Sequence, residues 1–271
     1  MTLFNKNSNQ VENLQQNSSI LVKSGQNSNL KKEFWIISIL CLAAWHTQIG
    51  MTILLPINFV VTLIHELSHA IVCILSGGQV SSMTIINDGC GHSGLTFCAG
   101  GLPILYAPAG YLGTTFVGCI LLYLSQYKKI SKILLCFTGV VILIISLAFS
   151  GKSLFQPQLF LASIASVIVE IIIGIGFLIA GVRLNEKWAN LTLLFLSIQI
   201  VLNSVTDLFI LFQASTNFSN STFSDATNMA NITHIPAFIW SIIWCLISMI
   251  LLYFTLKISY LKQNNDTRKI N

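Results

Sequence analysis

The chain has 271 residues, of which 54% are hydrophobic and only 8% are charged. Soluble domains carry roughly 25% charged residues, so a soluble globular domain is excluded and a polytopic protein of the lipid bilayer is expected. The net charge of +5 is spread over loops and tails, which argues against a nucleic-acid partner.

Residues 1–33 are rich in Asn, Gln and Ser and cannot build a core. They are expected to form a disordered polar tail without a cleavable leader. Phe34–Leu55 has the length of a first span, although His46-Thr47-Gln48-Ile49-Gly50 interrupts it. Pro56 then marks a break, and Ile57–Ser76 is a second span closed by Gly77-Gly78.

Within that second span lies His65-Glu66-Leu67-Ser68-His69, an HExxH pattern. Residues four apart share one helix face, so His65 and His69 can offer two imidazole nitrogens to one zinc ion. Glu66 beside them can take a proton from a metal-activated water. Between Phe34 and Tyr127 there is no Lys or Arg, and Glu66 and Asp88 are the only acidic residues. An unpaired carboxylate at membrane depth costs about 2.5 kcal/mol or more, and a metal supplies the reason for this one.

Val80 to Phe97 reads as a β-hairpin, with Asn87-Asp88-Gly89-Cys90-Gly91-His92 as its turn. Gly101–Leu124 follows as a third span, and its Ala109-Gly110-Tyr111-Leu112-Gly113 segment admits a close neighbouring helix. Lys128, Lys129 and Lys132 mark a loop before a short fourth span, Ile133–Ala148. Leu159–Gly181 is the fifth and carries Glu170, read either as a proton relay or metal neighbour or as a residue bonded to an adjacent helix. Trp188–Gln213 is the sixth and carries Asn203 and Asp207 four residues apart. A polar stretch, Ala214–Ile235, includes Asp225 and His234 and leads to a seventh span, Pro236–Leu256. Residues 258–271 form a polar tail, so residues 34–257 hold the membrane domain.

Five of the seven cysteines (Cys41, Cys73, Cys119, Cys136 and Cys245) fall in apolar spans and read as small hydrophobes. Cys90 and Cys98 read as two free thiols, with a disulfide or a metal contact shared with His92 as alternatives. If every segment crosses, spans two and six run in the same direction. His65, His69 and Asp207 then meet at one depth, which a third metal ligand requires. Asp207 is preferred over Asp225, Glu170 and His234 because a helix-borne carboxylate needs no loop to fold inward. Asn203, Glu170 and Asp225 are read as possible polar support.

HELSH, the following Gly77-Gly78, Ala109-Gly110-Tyr111-Leu112-Gly113 and Asp207-Leu208 form an ordered set with Ser224-Asp225-Ala226, Ile235-Pro236-Ala237 and Trp240. The set resembles the site-2 protease family of intramembrane zinc metallopeptidases, in its M50B-like branch, over roughly Ile57 to Tyr253. The resemblance implies a membrane-buried zinc held by His65, His69 and an Asp from a later helix, with Glu66 as general base. It departs from the family pattern at the Asp, because Asp207 is followed by Leu208 and no Pro is close. The expected fold is an all-α polytopic membrane protein of six to seven transmembrane helices, with a short hairpin after the HExxH helix. The expected function is hydrolysis of a peptide bond in a membrane-protein substrate, at the cell membrane. Two other classes stay open: an inactive zinc-binding protein that holds a client, and a transporter.

Overall fold

The computed structural model describes residues 32–87, 92–155, 160–216 and 224–261. The expected polar tails lie almost wholly outside these residues. Where they overlap, residues 32–33 begin a helix, and Lys257–Leu261 continue the last helix as a π-helical turn.

The first helix, α1, covers residues 32–45 and spans about 21 Å at 1.5 Å per residue. That is short of the roughly 30 Å hydrocarbon core, so Phe34–Leu55 is not one continuous span. The chain turns at His46-Thr47, and α2 runs from Gln48 to Leu75 with Pro56 inside it. The expected break thus falls ten residues earlier, where Thr47 Oγ1 accepts from the Gly50 N–H at 3.0 Å and caps the new helix. Proline is tolerated within membrane helices because neighbouring groups re-satisfy the freed backbone.

Two antiparallel strands follow, β1 (Gln79–Asn87) and β2 (His92–Ala99), paired from Gln79↔Ala99 to Asn87↔His92. The expected hairpin is therefore present, and its turn, residues 88–91, lies outside the described residues. A short helix, α3 (Pro103–Tyr106), leads into α4 (Ala109–Leu124). Next, α5 (Lys128–Ile145) continues through a π-helical turn, Ser146–Ser150, into α6 (Gly151–Ser153). Lys128, Lys129 and Lys132 are thus the first turns of a long helix rather than a loop, since lysine stems lie along apolar surface while their ammonium groups reach water. The remaining helices are α7 (Phe160–Arg183), α8 (Glu186–Thr216), α9 (Asp225–Thr233) and α10 (Ala237–Leu256).

Among the described residues, five helices are long and apolar enough to cross a membrane: α2, α5 extended to Ser153, α7, α8 and α10, with α4 as a shorter apolar helix. Large apolar side chains such as Leu147, Leu161, Ile172 and Leu246 stand exposed on their outer faces. An apolar exterior of this extent suits hydrocarbon, and the protein is a multi-pass membrane protein with a small hairpin.

The core joins Val60, Val61 and Leu63 of α2 to Met83 and Ile85 of β1, Leu135 and Ile142 of α5, and Leu193, Leu196 and Ile200 of α8. The outer edge of β1 is bonded from the helices. Ser166 Oγ donates to the Ile85 carbonyl at 2.5 Å and accepts from the Ile85 N–H at 3.3 Å, while Ser153 Oγ donates to the Met83 carbonyl at 3.2 Å. Cys73 and Cys98 form a disulfide with Cα atoms 6.2 Å apart. This corrects the reading of both as unpaired: the hairpin returns Cys98 to the end of α2, beside Gly78, where a Cβ would lie 2.8 Å from Cys73 Sγ and 3.0 Å from Cys98 Sγ.

Candidate metal centre

His65 and His69 lie one turn apart on α2, and their Nε2 atoms face each other at 3.1 Å. The third group at this point is Asp225, whose Oδ2 lies 3.4 Å from His65 Nε2 and 3.2 Å from His69 Nε2. Two atoms bound about 2.0–2.1 Å from a tetrahedral zinc lie about 3.3 Å apart, so the triangle has the edges of one tetrahedral face. Two imidazoles and one carboxylate are the donor set of a catalytic zinc site, which keeps a fourth position open. Gly110 of α4 supports the same reading. A Cβ there would press on both His65 Nε2 and His69 Nε2, so glycine keeps the space in front of the pair clear. The residues fit a zinc ion.

Each side chain is held from outside the triangle. His69 Nδ1–H donates to the Tyr106 carbonyl at 2.6 Å, which leaves Nε2 as the ligating nitrogen. The His65 ring meets Tyr111 edge to face at 4.7 Å, and Tyr111 stacks on Trp244 at 5.8 Å. Asp225 opens α9 behind an N-cap box. Thr227 N–H donates to Ser224 Oγ at 3.2 Å, and Ser224 N–H donates to Thr227 Oγ1 at 2.8 Å. Ala226 and Met229 then bury α9 against Ala107, Leu208, Leu211 and Trp244. Burial alone would raise the Asp225 carboxyl, but His69 and His65 outweigh it and hold it well below the usual carboxylate range.

Glu66 is buried beside the pair and accepts a hydrogen bond from Thr96 Oγ1 of β2 at 2.5 Å. Gly94 of the same strand adjoins its Oε1, at a point where any Cβ would collide.

The expected third partner, Asp207, is outside the triangle; among the described residues the only such group is His65, His69 and Asp225. Leu208, not Asp207, faces the core where α9 packs, and successive helix residues point about 100° apart. Asn203 Nδ2 donates to the Gln199 carbonyl of its own helix at 2.9 Å. Glu170 accepts from Ser150 Oγ at 2.9 Å, where the π-helical turn after α5 meets α7. His234 ends α9 in the left-handed conformation (φ 59°). The geometry therefore joins His65, Glu66, His69 and Asp225, and leaves Asp207, Asn203, Glu170 and His234 outside. The signal missed in the sequence was Ser224-Asp225-Ala226-Thr227, whose Ser and Thr three apart mark a helix start in a stretch otherwise read as loop.

Comparison with curated proteins and with solved structures found no match. A family model described as Peptidase M50B-like matches residues 35–255. That match covers all four grouped residues and most of the described apolar helices, and the chain belongs to the M50B-like peptidases of the site-2 protease family.

Proposed function

We propose that this protein is an intramembrane zinc metallopeptidase that hydrolyses a peptide bond of a membrane-protein substrate. The observation that carries the reading is the triangle of buried His69 and half-buried His65 and Asp225, with buried Glu66 alongside it. His65 Nε2, His69 Nε2 and an Asp225 oxygen would hold the ion, with Asp225 proposed in place of the Asp207 expected from the sequence. When bound, zinc supplies Lewis acidity that brings the pKa of water toward about 7 and polarises the scissile carbonyl.

Glu66 is next to a ligand yet outside the triangle, so its carboxylate is free to accept a proton from the attacking water. It then returns that proton to the leaving amide nitrogen. The Tyr106 carbonyl keeps His69 in the tautomer that ligates. A helical substrate hides its carbonyls, so the segment cut must be extended. Strand pairing would supply that conformation, and with the β1 edge bonded by Ser166 and Ser153 it falls to β2, the strand nearer Glu66.

Glu66→Gln tests the reading. Gln keeps size and hydrogen bonding but takes no proton, so zinc content and abundance should match wild type. Cleavage of a transmembrane peptide with an extended segment should fall about 100-fold or more. Equal cleavage by the variant removes Glu66 as base. Zinc bound without cleavage by wild type favours an inactive, client-holding protein.

A further inference from the structure

Glu66 belongs to α2, but its carboxylate is held from the hairpin. On β2, residues two apart share a face, and Gly94, Thr96 and Cys98 all meet α2. Gly94 lies against Glu66 Oε1, Thr96 Oγ1 bonds Glu66 Oε2 at 2.5 Å, and Cys98 is joined to Cys73. Cys73 lies seven residues beyond Glu66, on the same side of the helix two turns later. The strand thus runs along this face of α2 and is fixed to it covalently at one end. Thr96 Oγ1 also sits 3.2 Å from the Glu66 backbone carbonyl, so the hydroxyl is placed over residue 66 as a whole. A 2.5 Å O···O separation is in the range of a hydroxyl bonded to a carboxylate.

We propose that Thr96 is the positioning residue for Glu66: its hydroxyl fixes Oε2, and Oε1, lodged over the bare backbone of Gly94, is the oxygen that takes the proton. The inference rests on the peptidase reading above. Thr96 is outside the His65, His69 and Asp225 triangle, so the role separates from metal binding. A carboxylate free to swing about its side-chain torsions would meet the attacking water in a small fraction of its rotamers, and a misplacement of about 1 Å costs up to about 100-fold in rate.

The experiment uses the purified full-length chain in liposomes, with Thr96→Val, which keeps the branched shape without the hydroxyl, and Thr96→Ser, which restores the donor. The substrate is a transmembrane peptide with a helix-breaking Asn-Pro segment. Thr96→Val should keep wild-type zinc content and KM while kcat falls about 10- to 100-fold, and Thr96→Ser should recover most of that loss. Wild-type kcat in Thr96→Val, a Ser variant as slow as the Val variant, or zinc lost from Thr96→Val would each overturn the proposal.

A second readout does not depend on cleavage. The shift in Tm caused by Thr96→Val should largely vanish in a Glu66→Ala background, because the partner is already gone. Equal shifts in both backgrounds overturn the contact. If wild type cleaves nothing, the peptidase reading fails, and this coupling alone decides whether Thr96 holds Glu66.

Discussion

Glu66 lies beside two imidazoles that converge with Asp225, whereas Glu170 of α7 faces the π-helical turn after α5 with a serine hydroxyl as its partner. Both carboxylates are buried in apolar helices. The glycines around them show the difference. At the histidine pair, Gly110 and Gly94 keep room for groups that ligate or react, since a Cβ would strike His65, His69 or Glu66. Near Glu170, Gly139 and Gly174 serve helix contact: a Cβ on Gly139 would lie 2.6 Å from the Gly174 carbonyl, and one on Gly174 would lie 2.8 Å from Leu143 Cγ. A buried acid in a membrane helix is therefore not by itself a catalytic site. Convergence with other donors around a kept space is the informative feature.

The sharpest way to break the contrast is Gly110→Ala. Its methyl would occupy the space facing both Nε2 atoms, so zinc affinity should fall by more than about 100-fold, beyond the 10- to 100-fold typical of outer-shell changes. Dialysis against a graded chelator checks it, and unchanged affinity would mean the space in front of the histidines is not where metal binds. Glu170→Gln lies at the other extreme. Gln can still accept from Ser150, and the change removes an ionisable group from the membrane interior. Zinc content and cleavage should stay at wild type, with stability altered by less than about 1 kcal/mol, as read by thermal unfolding. Lost zinc in this variant would tie the two regions together.

Much of this arrangement was legible in the chain. The HExxH spacing placed both histidines on one face, and Asp88-Gly89 between apolar runs announced the hairpin. Pairings across distant segments were not. Asp225 was passed over because matching depths treats Ala214–Ile235 as a loop, while Ser224 caps a helix that Ala226 and Met229 bury against α8 and α10. Cys73 sits in an apolar run, and its bond to Cys98 emerges only once the hairpin turns back. Thr96 was one polar residue in a strand, with nothing local to link it to Glu66. Pro56 misled for a related reason: its local cost is absorbed within a packed membrane helix.

Asp225 and Asp207 separate the account from its nearest rival most directly. Zinc content should be measured by elemental analysis on purified wild type, Asp225→Ala and Asp207→Ala, each confirmed folded by thermal unfolding. The account predicts near-stoichiometric zinc in wild type and Asp207→Ala, and strong depletion in Asp225→Ala, because Asp225, and not Asp207, completes the triangle with His65 and His69. Full zinc in Asp225→Ala with depletion in Asp207→Ala would contradict it and return the third ligand to α8.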